Sequence, residues 1–264
     1  MNRIRLPRNV DQLIYLRDLL RELIIRDLKL RYKRSILGIA WTLVNPLTQL
    51  LVLLFVFNSV IQLDIPHYTS FLFSGLIIWY WFHGGLIQAT GSIVANRDLI
   101  RRPGFPSPIL PVVAVLSHLI HFLLALPVLI VFLIIDDSSI TGAIVVLPLI
   151  IALQFLVTLS ISYAVAAFHV TFRDTQYMLG VLLNFLFYLT PIFYELEAVP
   201  DRFRPFYNLN PMAHLIDAYR DILIQGILPQ HPVSLIMIAF LGTVLLIIGH
   251  GYFVRASYTF VEEL

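Results

Sequence analysis

Lys29-Leu30-Arg31-Tyr32-Lys33-Arg34-Ser35-Ile36-Leu37-Gly38-Ile39 is the point where a cationic segment gives way to an apolar one. After Arg34 the next residue able to carry charge is Asp64. The uncharged run Ser35–Ile61 is 27 residues long, enough to cross a hydrocarbon core of ~30 Å with some tilt. A basic cluster set directly against a first span also orients it, because Lys and Arg are retained on the cytoplasmic side. The chain is therefore expected to start inside the cell. Arginines and acids are scattered through its first thirty residues, and no short apolar core with a small-residue cleavage site follows them, so no cleavable leader is expected.

Composition agrees. The 264 residues are 59% hydrophobic and 13% charged, with a mean hydropathy of +0.85, whereas soluble domains carry about 25% charged residues. The absence of cysteine excludes disulfides, thiolate metal sites and cysteine nucleophiles. Ten of the eighteen Lys and Arg residues lie between Arg3 and Arg34. Acids are interleaved there (Asp11, Asp18, Glu22, Asp27), so anionic lipid headgroups fit this segment better than nucleic acid.

Working outward, the apolar runs predict six spans: Ser35–Ile61, Phe71–Ala95, Ile109–Ile135, Ile144–Val170, Tyr177–Tyr194 and Val233–Val254. The fifth is the shortest; it contains Asn184 and runs into Pro191. With the start inside, fifteen positive charges fall on the cytoplasmic side and three (Arg202, Arg204, Arg220) outside, which supports the topology. Residues 1–34 read as a cytoplasmic amphipathic interface helix, with Leu13, Leu16, Leu20, Leu23 and Ile24 on one face and Asp27 intruding on it. Residues 35–264 read as one six-helix transmembrane domain. A solvated helix resting on a partner protein is the other reading of the leader.

The long connector before the last span carries its own helix. Asn210-Pro211 has the form of an N-cap followed by proline at the first helical position, and Gly226 can close the helix. Met212, Leu215, Ile216, Tyr219 and Leu223 then share a face. At 1.5 Å per residue this helix is about 22 Å long, too short to span, so it either dips in as a gate or lies outside as a cap.

What is absent narrows the chemistry. No span carries paired carboxylates or a nucleophile with its base. His118 and His121 share a turn and His83 adjoins Gly84-Gly85, but helix packing accounts for all three at least as well as a metal or proton relay. A P-loop needs Gly-Lys-Ser/Thr, and neither lysine here, Lys29 or Lys33, follows a glycine. The spans also lack the buried charges that ion-driven transporters use. Uphill transport by this chain would need another subunit. The spans are rich in rings, notably Trp79-Tyr80-Trp81-Phe82 and Phe185, Phe187 and Tyr188. Such rings can stack on sugars; an interfacial aromatic belt stays open for Trp79 to Phe82 and is the better reading for Phe193 and Tyr194.

Several motifs in order then resemble one family. Arg26-Asp27-Leu28-Lys29-Leu30-Arg31-Tyr32 leads into Ser35-Ile36-Leu37-Gly38-Ile39-Ala40-Trp41 and Asn45-Pro46-Leu47. Phe172-Arg173-Asp174, Leu189-Thr190-Pro191-Ile192-Phe193-Tyr194 and Asn208-Leu209-Asn210-Pro211-Met212 follow. From about Leu13 to Val254 the chain resembles the permease subunit of ABC-2 type polysaccharide and polyol-phosphate exporters, the family that exports O-antigen, teichoic acid or capsule.

That resemblance implies an all-α membrane protein with short re-entrant or gate helices between the fifth and sixth spans. It implies a bacterial plasma membrane location with both termini cytoplasmic, a second copy of the chain, two separate ATPase subunits and a lipid-linked glycan as cargo. Membrane lipids are the other partner, and nucleic acid is not one. No cofactor is expected in the chain, ATP and Mg belonging to the ATPase. A coupling helix maps to Arg97, Asp98, Arg101, Arg102 and Pro103, where the prolines that follow stiffen its exit. The resemblance makes Trp79, Trp81, Phe82, Gln88, Asn184 and Tyr188 channel candidates at the dimer interface. Arg31, Lys33 and Arg34 become candidates for the anionic headgroup, with ordinary positive-inside anchoring as the alternative. Asn210, Pro211, Tyr219 and Arg220 become outer-gate candidates. The competing functions are an ABC-2 permease for a small drug or lipid, and a membrane-embedded glycan-modifying transferase.

Overall fold

The computed structural model describes residues 10–61, 65–138 and 141–264. The first nine residues of the expected interface segment, Arg3, Arg5 and Arg8 among them, and Asp64 lie outside the described residues. Helix is the regular structure throughout: α1 Val10–Tyr32, α2 Trp41–Leu54, α3 Tyr68–Ala95, α4 Arg97–Ile100, α5 Ile109–Ile135, α6 Leu147–Thr171, α7 Thr175–Leu189, α8 Arg204–Asn208, α9 Pro211–Arg220, α10 Pro232–Ala256 and α11 Phe260–Glu263. No strand occurs among the described residues.

Five helical stretches are long and apolar enough to cross a membrane: Gly38–Phe57, Tyr68–Ala95, Ile109–Ile135, Gly142–Thr171 and Pro232–Ala256. They match five of the expected spans to within three residues except at the far end of the first, where a π-helical turn at Phe55–Ile61 leads out; a 3₁₀ turn at Gly38–Ala40 leads in. The expected fifth span, Tyr177–Tyr194, is shorter. α7 has 15 residues and stops at Leu189, because Thr190 turns to extended backbone ahead of Pro191. A residue before proline is pushed out of the helical region, and proline supplies no N–H to continue the ladder.

α3 is the central element. It packs against α2, α5, α6, α7 and α9 and is buried around nearly its whole circumference, with Leu72, Phe73, Leu76, Ile78, Ala89 and Ile93 fully inside. Within a membrane the lipid is as apolar as the helices, so close contact rather than water exclusion holds such a bundle together. Small residues provide it. A Cβ added to Gly85 would lie 3.3 Å from the Thr158 methyl of α6, and one on Gly249 of α10 would lie 2.9 Å from the Ser160 carbonyl. The hydroxyls of Ser74, Thr90 and Ser92 donate to carbonyls of their own helix, which keeps α3 free of unpaired polar groups there.

A second cluster gathers one end of the bundle. Leu23 of α1, Ile100 of α4, Ile109 and Leu110 of α5, Phe253 of α10 and Phe260 of α11 meet there. This end carries the basic leader and is called the basic end below.

Candidate substrate path and coupling surface

At the basic end, α1 is fixed by polar contacts that enter the bundle. Asp27, which interrupts the apolar face of α1, accepts a 2.8 Å hydrogen bond from the Gln88 amide of α3. Arg31 donates to the Gln88 carbonyl oxygen and lies 3.8 Å from the Asp27 carboxylate. Gln88 thus clamps α1 to α3 with both halves of its amide. Arg26 donates to Asn96, the residue that joins α3 to α4. Tyr32 lies 3.1 Å from His121 of α5, and burial, against the opposing charge of Arg31, raises its phenol above the usual range, so the hydroxyl is protonated. Lys33 and Arg34 are exposed.

The short helix α4 presents charge outward. Arg97, Asp98, Arg101, Arg102 and Pro103 are all exposed, while Ile100 is buried among α1, α5 and α11 residues and anchors the turn. The C-terminal α11 buttresses the same region, with Phe260 fully buried and Glu263 accepting from Thr171 at the end of α6. Nothing in the sequence pattern singled out α11; its aromatic Phe260 between Thr259 and Val261 was the available signal.

Of the expected channel residues, the structure separates two groups. Trp79, Trp81 and Phe82 are 4%, 1% and 4% exposed. Trp81 donates its indole N–H to the Val115 carbonyl at 3.2 Å and stacks on Phe122 of α5 at 5.2 Å, and Phe122 in turn meets Tyr219 of α9. Trp79 meets Phe187 of α7 edge-on. All three rings thus pack among the helices of the bundle, with Trp81 also lining a cavity between α2, α3 and α5. Asn184 and Tyr188, in contrast, face outward on α7 together with Val181 and Phe185, and Tyr188 is 66% exposed.

α2 has a matching stripe. Trp41, Asn45, Thr48, Val52 and Phe55 recur at helical spacing and are exposed. Among the described residues the amides of Asn45 and Asn184 have no hydrogen-bond partner. A polar amide inside an apolar helix belongs against protein or water rather than lipid. The outward face of α10 (Ile236, Met237, Phe240, Leu241, Val244, Ile248) has no such group and suits lipid. Asn45, Thr48 and Trp41 were not among the expected channel residues, although Asn45 sits in the quoted Asn-Pro-Leu motif.

At the opposite end, α9 is enclosed rather than laid on the surface. Asn210 caps it, accepting from the Met212 N–H at 3.0 Å while donating to Thr190 at 2.9 Å. A π-helical turn follows at Asp221–Gln225, and Gly226, at φ 67°, closes it. Met212, Leu215, Ile216, Tyr219 and Leu223 are buried. Arg220, expected as an outer charge, is only 4% exposed. Its guanidinium donates to the Pro191 and Ile192 carbonyls, both at 2.7 Å, and to the Phe71 carbonyl at 3.2 Å, with its carbon 3.4 Å from the centroid of the Phe71 ring. Burial pushes its pKa down to about 9, opposed by the charges of Asp217 and Glu195, which leaves it a cation at neutral pH. The broken end of α7 frees carbonyls that lipid cannot satisfy, and this arginine satisfies them.

Comparison with known proteins fits this arrangement. The description "ABC-2 type transporter" matches residues 18–224. The O-antigen export system permease protein RfbA of Klebsiella pneumoniae is 34% identical over 255 residues, covering 95% of this chain and 96% of the relative. That of Myxococcus xanthus is 34% identical over 259 residues, 97% of this chain and 99% of the relative. The polysialic acid transport protein KpsM of Escherichia coli is 28% identical over 233 residues, 86% and 89% of the two chains. The match begins inside α1 and ends in the turn after α9, taking in both the basic end and the arginine joint: the chain belongs to the ABC-2 type transporter family.

Proposed function

We propose that this chain is the membrane-spanning subunit of an ATP-driven exporter that moves a lipid-linked cell-surface polysaccharide out of the cytoplasmic leaflet. The observation that carries the reading is its likeness, over nearly the whole chain, to relatives that are O-antigen export permeases. ATP hydrolysis belongs to a separate subunit, since the chain has no Gly-Lys-Ser/Thr. Two copies of each subunit form the complex. The outward stripes of α2 and α7 line the path between the two permeases, where Asn45, Asn184 and Tyr188 meet water and sugar instead of lipid. α7 is the sixth crossing: its helix is about 22 Å long, and Thr190–Tyr194 completes the passage as irregular backbone sheltered by α9. The basic end faces the cytoplasm of a bacterial inner membrane, so that α1 is the interface helix and both termini lie inside.

Coupling follows from the same layout. The exposed Arg97, Asp98, Arg101 and Arg102 form the contact for the ATPase. Because Arg26 ties α1 to Asn96, and Ile100 and Phe260 share one cluster, a push on α4 reaches α1, α5 and α11 together. Lys33 and Arg34 meet the anionic headgroups at the leaflet surface. At the other end α9 is the gate element, joined to α7 by Asn210 and Arg220.

The test is a pull-down of the tagged chain from its native membrane, with identification of stoichiometric partners. A Walker A subunit near one to one is expected. The double variant Arg101→Glu, Arg102→Glu should then insert normally but lose export. No ATPase from cells expressing the complete system, or normal export by the double variant, would contradict the reading.

A further inference from the structure

A cavity of about 380 Å³ lies at the end of the bundle opposite the basic end. That volume is in the range of small-ligand sites. Several segments build it. Pro66 and His67 lead from α2 into α3, Glu195 and Leu196 follow the broken end of α7, and α9 with its π-helical turn forms the far side. The helices whose outward stripes carry Asn45 and Asn184 thus both lead into its wall. π-Helical turns are rare and recur at functional sites. This one brings Asp221, Ile224 and Gln225 onto the cavity together.

Part of the lining is committed to structure. Arg220 spends its terminal nitrogens on carbonyls, although its buried Nε–H has no partner. The Asp221 carboxylate accepts from the Gln230 backbone N–H at 2.8 Å and from the Gln230 amide at 3.4 Å, and that amide also donates to Gln225 Oε1 at 3.2 Å. The rest of the rim is open. Among the described residues, the Glu195 carboxylate, the His67 and His231 imidazoles, the Gln225 amide nitrogen and the Gln230 amide oxygen have no hydrogen-bond partner. His67, Gln225, Gln230 and His231 are exposed, so the cavity is reached from solvent.

The chemistry of this rim selects a ligand. An anion is opposed by the carboxylates of Glu195, Asp217 and Asp221. A metal ion needs several converging ligands, and no such group occurs among the described residues. An amine offers donors only and would leave the Gln225 N–H groups without an acceptor. A hydroxyl both donates and accepts, so a ligand dense in hydroxyls can use carboxylate, amide and imidazole alike. The ring in the wall, Phe71, is covered by the Arg220 guanidinium, which leaves hydrogen bonds rather than stacking to hold the ligand.

We infer that this cavity is a subsite for a sugar unit, held through hydrogen bonds by Glu195, Gln225, Gln230 and the two imidazoles. Its contacts fall on the turn after α9 and on the segment after α7, the two elements that Arg220 joins. The inference rests on the exporter reading for two points: that this end faces outward, and that the sugar belongs to the exported chain rather than to the surrounding solution.

The experiment is equilibrium binding to the full-length chain purified from its native membrane with its bound partners. The probes are lipid-free oligosaccharide released from the surface polysaccharide of the same strain, maltose, and spermidine as an amine. The wild type should bind the oligosaccharide, and Glu195→Gln and Gln225→Ala should each weaken it about fivefold or more, the loss of one hydrogen bond. Asp137→Asn, an exposed position at the same end outside the cavity, should change it by less than about twofold. Neither cavity variant removes a buried bond of the fold; if one of them is not recovered, the other carries the test with His231→Ala. Equal binding by wild type and cavity variants, or a loss confined to Asp137→Asn, overturns the subsite. Binding of spermidine in place of both sugars overturns the sugar class. Binding of maltose alone, sensitive to the cavity variants, supports a sugar pocket and overturns the exported chain as its source. Export is scored apart in a deletion strain. A wild type that restores surface polysaccharide yet binds no probe overturns this subsite and leaves the exporter reading standing. One that binds the oligosaccharide through these residues and restores nothing overturns the exporter reading and leaves the pocket.

Discussion

α3 and α7 lie side by side, are similarly apolar and carry comparable sets of rings, yet they have opposite surroundings. α3 is enclosed around nearly its whole circumference, so Trp79, Trp81 and Phe82 pack inside the bundle. α7 buries little more than Leu179 and Leu183 and turns Tyr177, Val181, Asn184, Phe185 and Tyr188 outward. The lesson is that a ring's role in a membrane bundle is set by its helix's layer, and small residues mark the layer. α3 carries Ser70, Ser74, Gly84, Gly85, Ala89 and Thr90, whereas a Cβ on the α7 glycine, Gly180, would meet nothing within 4 Å. Dense small residues allow neighbours on all sides; their absence leaves a face for another partner.

The largest effect is expected where the two helices are joined. Arg220 reaches from α9 to the Phe71 carbonyl of α3 and to the Pro191 and Ile192 carbonyls after α7. Arg220→Ala would leave buried acceptors unpaired at about 1–3 kcal/mol each, enough to remove most folded protein from the membrane. Arg220→Lys should recover only part, since an ammonium cannot reproduce the fork. Monodisperse yield in detergent measures both, and wild-type yield from Arg220→Ala would break the joint.

A paired substitution separates the layers. Trp81→Ala should destabilise by on the order of 3 kcal/mol, the cost of deleting a buried ring, and lower abundance and export alike. Tyr188→Ala should leave abundance unchanged and reduce export per molecule severalfold, if its ring meets cargo. Quantitative blotting with a surface-polysaccharide assay reads both, and the reverse pattern would exchange the roles of α3 and α7. A smaller change is expected at the basic end of α3. Gln88→Leu removes both bonds that clamp α1, a loss of about 1 kcal/mol in docking, visible as faster trypsin cleavage at Arg17 and Arg21.

Much of the fold was legible because length and hydropathy alone decide whether a helix spans. Ile109–Ile135 is the same in sequence and structure, and the Asn210-Pro211 cap appears as its chemistry dictates. The end of α7 was readable in principle from Thr190-Pro191, but an apolar tail masked it. Facing was not legible. Hydropathy has no period when a helix is apolar all round, as α3 and α10 are, so Trp81 and Phe240 look alike in sequence and differ by layer. Arg220 was counted with the outer charges because nothing local shows that distant carbonyls await it. Asp27 was conspicuous as an intruder on the α1 face, but its partner Gln88 is 61 residues away. His118 and Gly84 make sense only together, through a contact between two helices.

The central claim is that the α2 and α7 faces line a water-filled path while the α10 face meets lipid. The chain contains no cysteine, so single thiols can be placed without background. The measurement is the rate at which a membrane-impermeant maleimide labels Asn45→Cys, Asn184→Cys and Phe240→Cys in native membranes containing the ATPase. Asn45→Cys and Asn184→Cys are expected to label, with rates that change when ATP turnover is blocked, and Phe240→Cys is expected to stay inert. Labelling of Phe240→Cys with both amide positions inert would contradict the account.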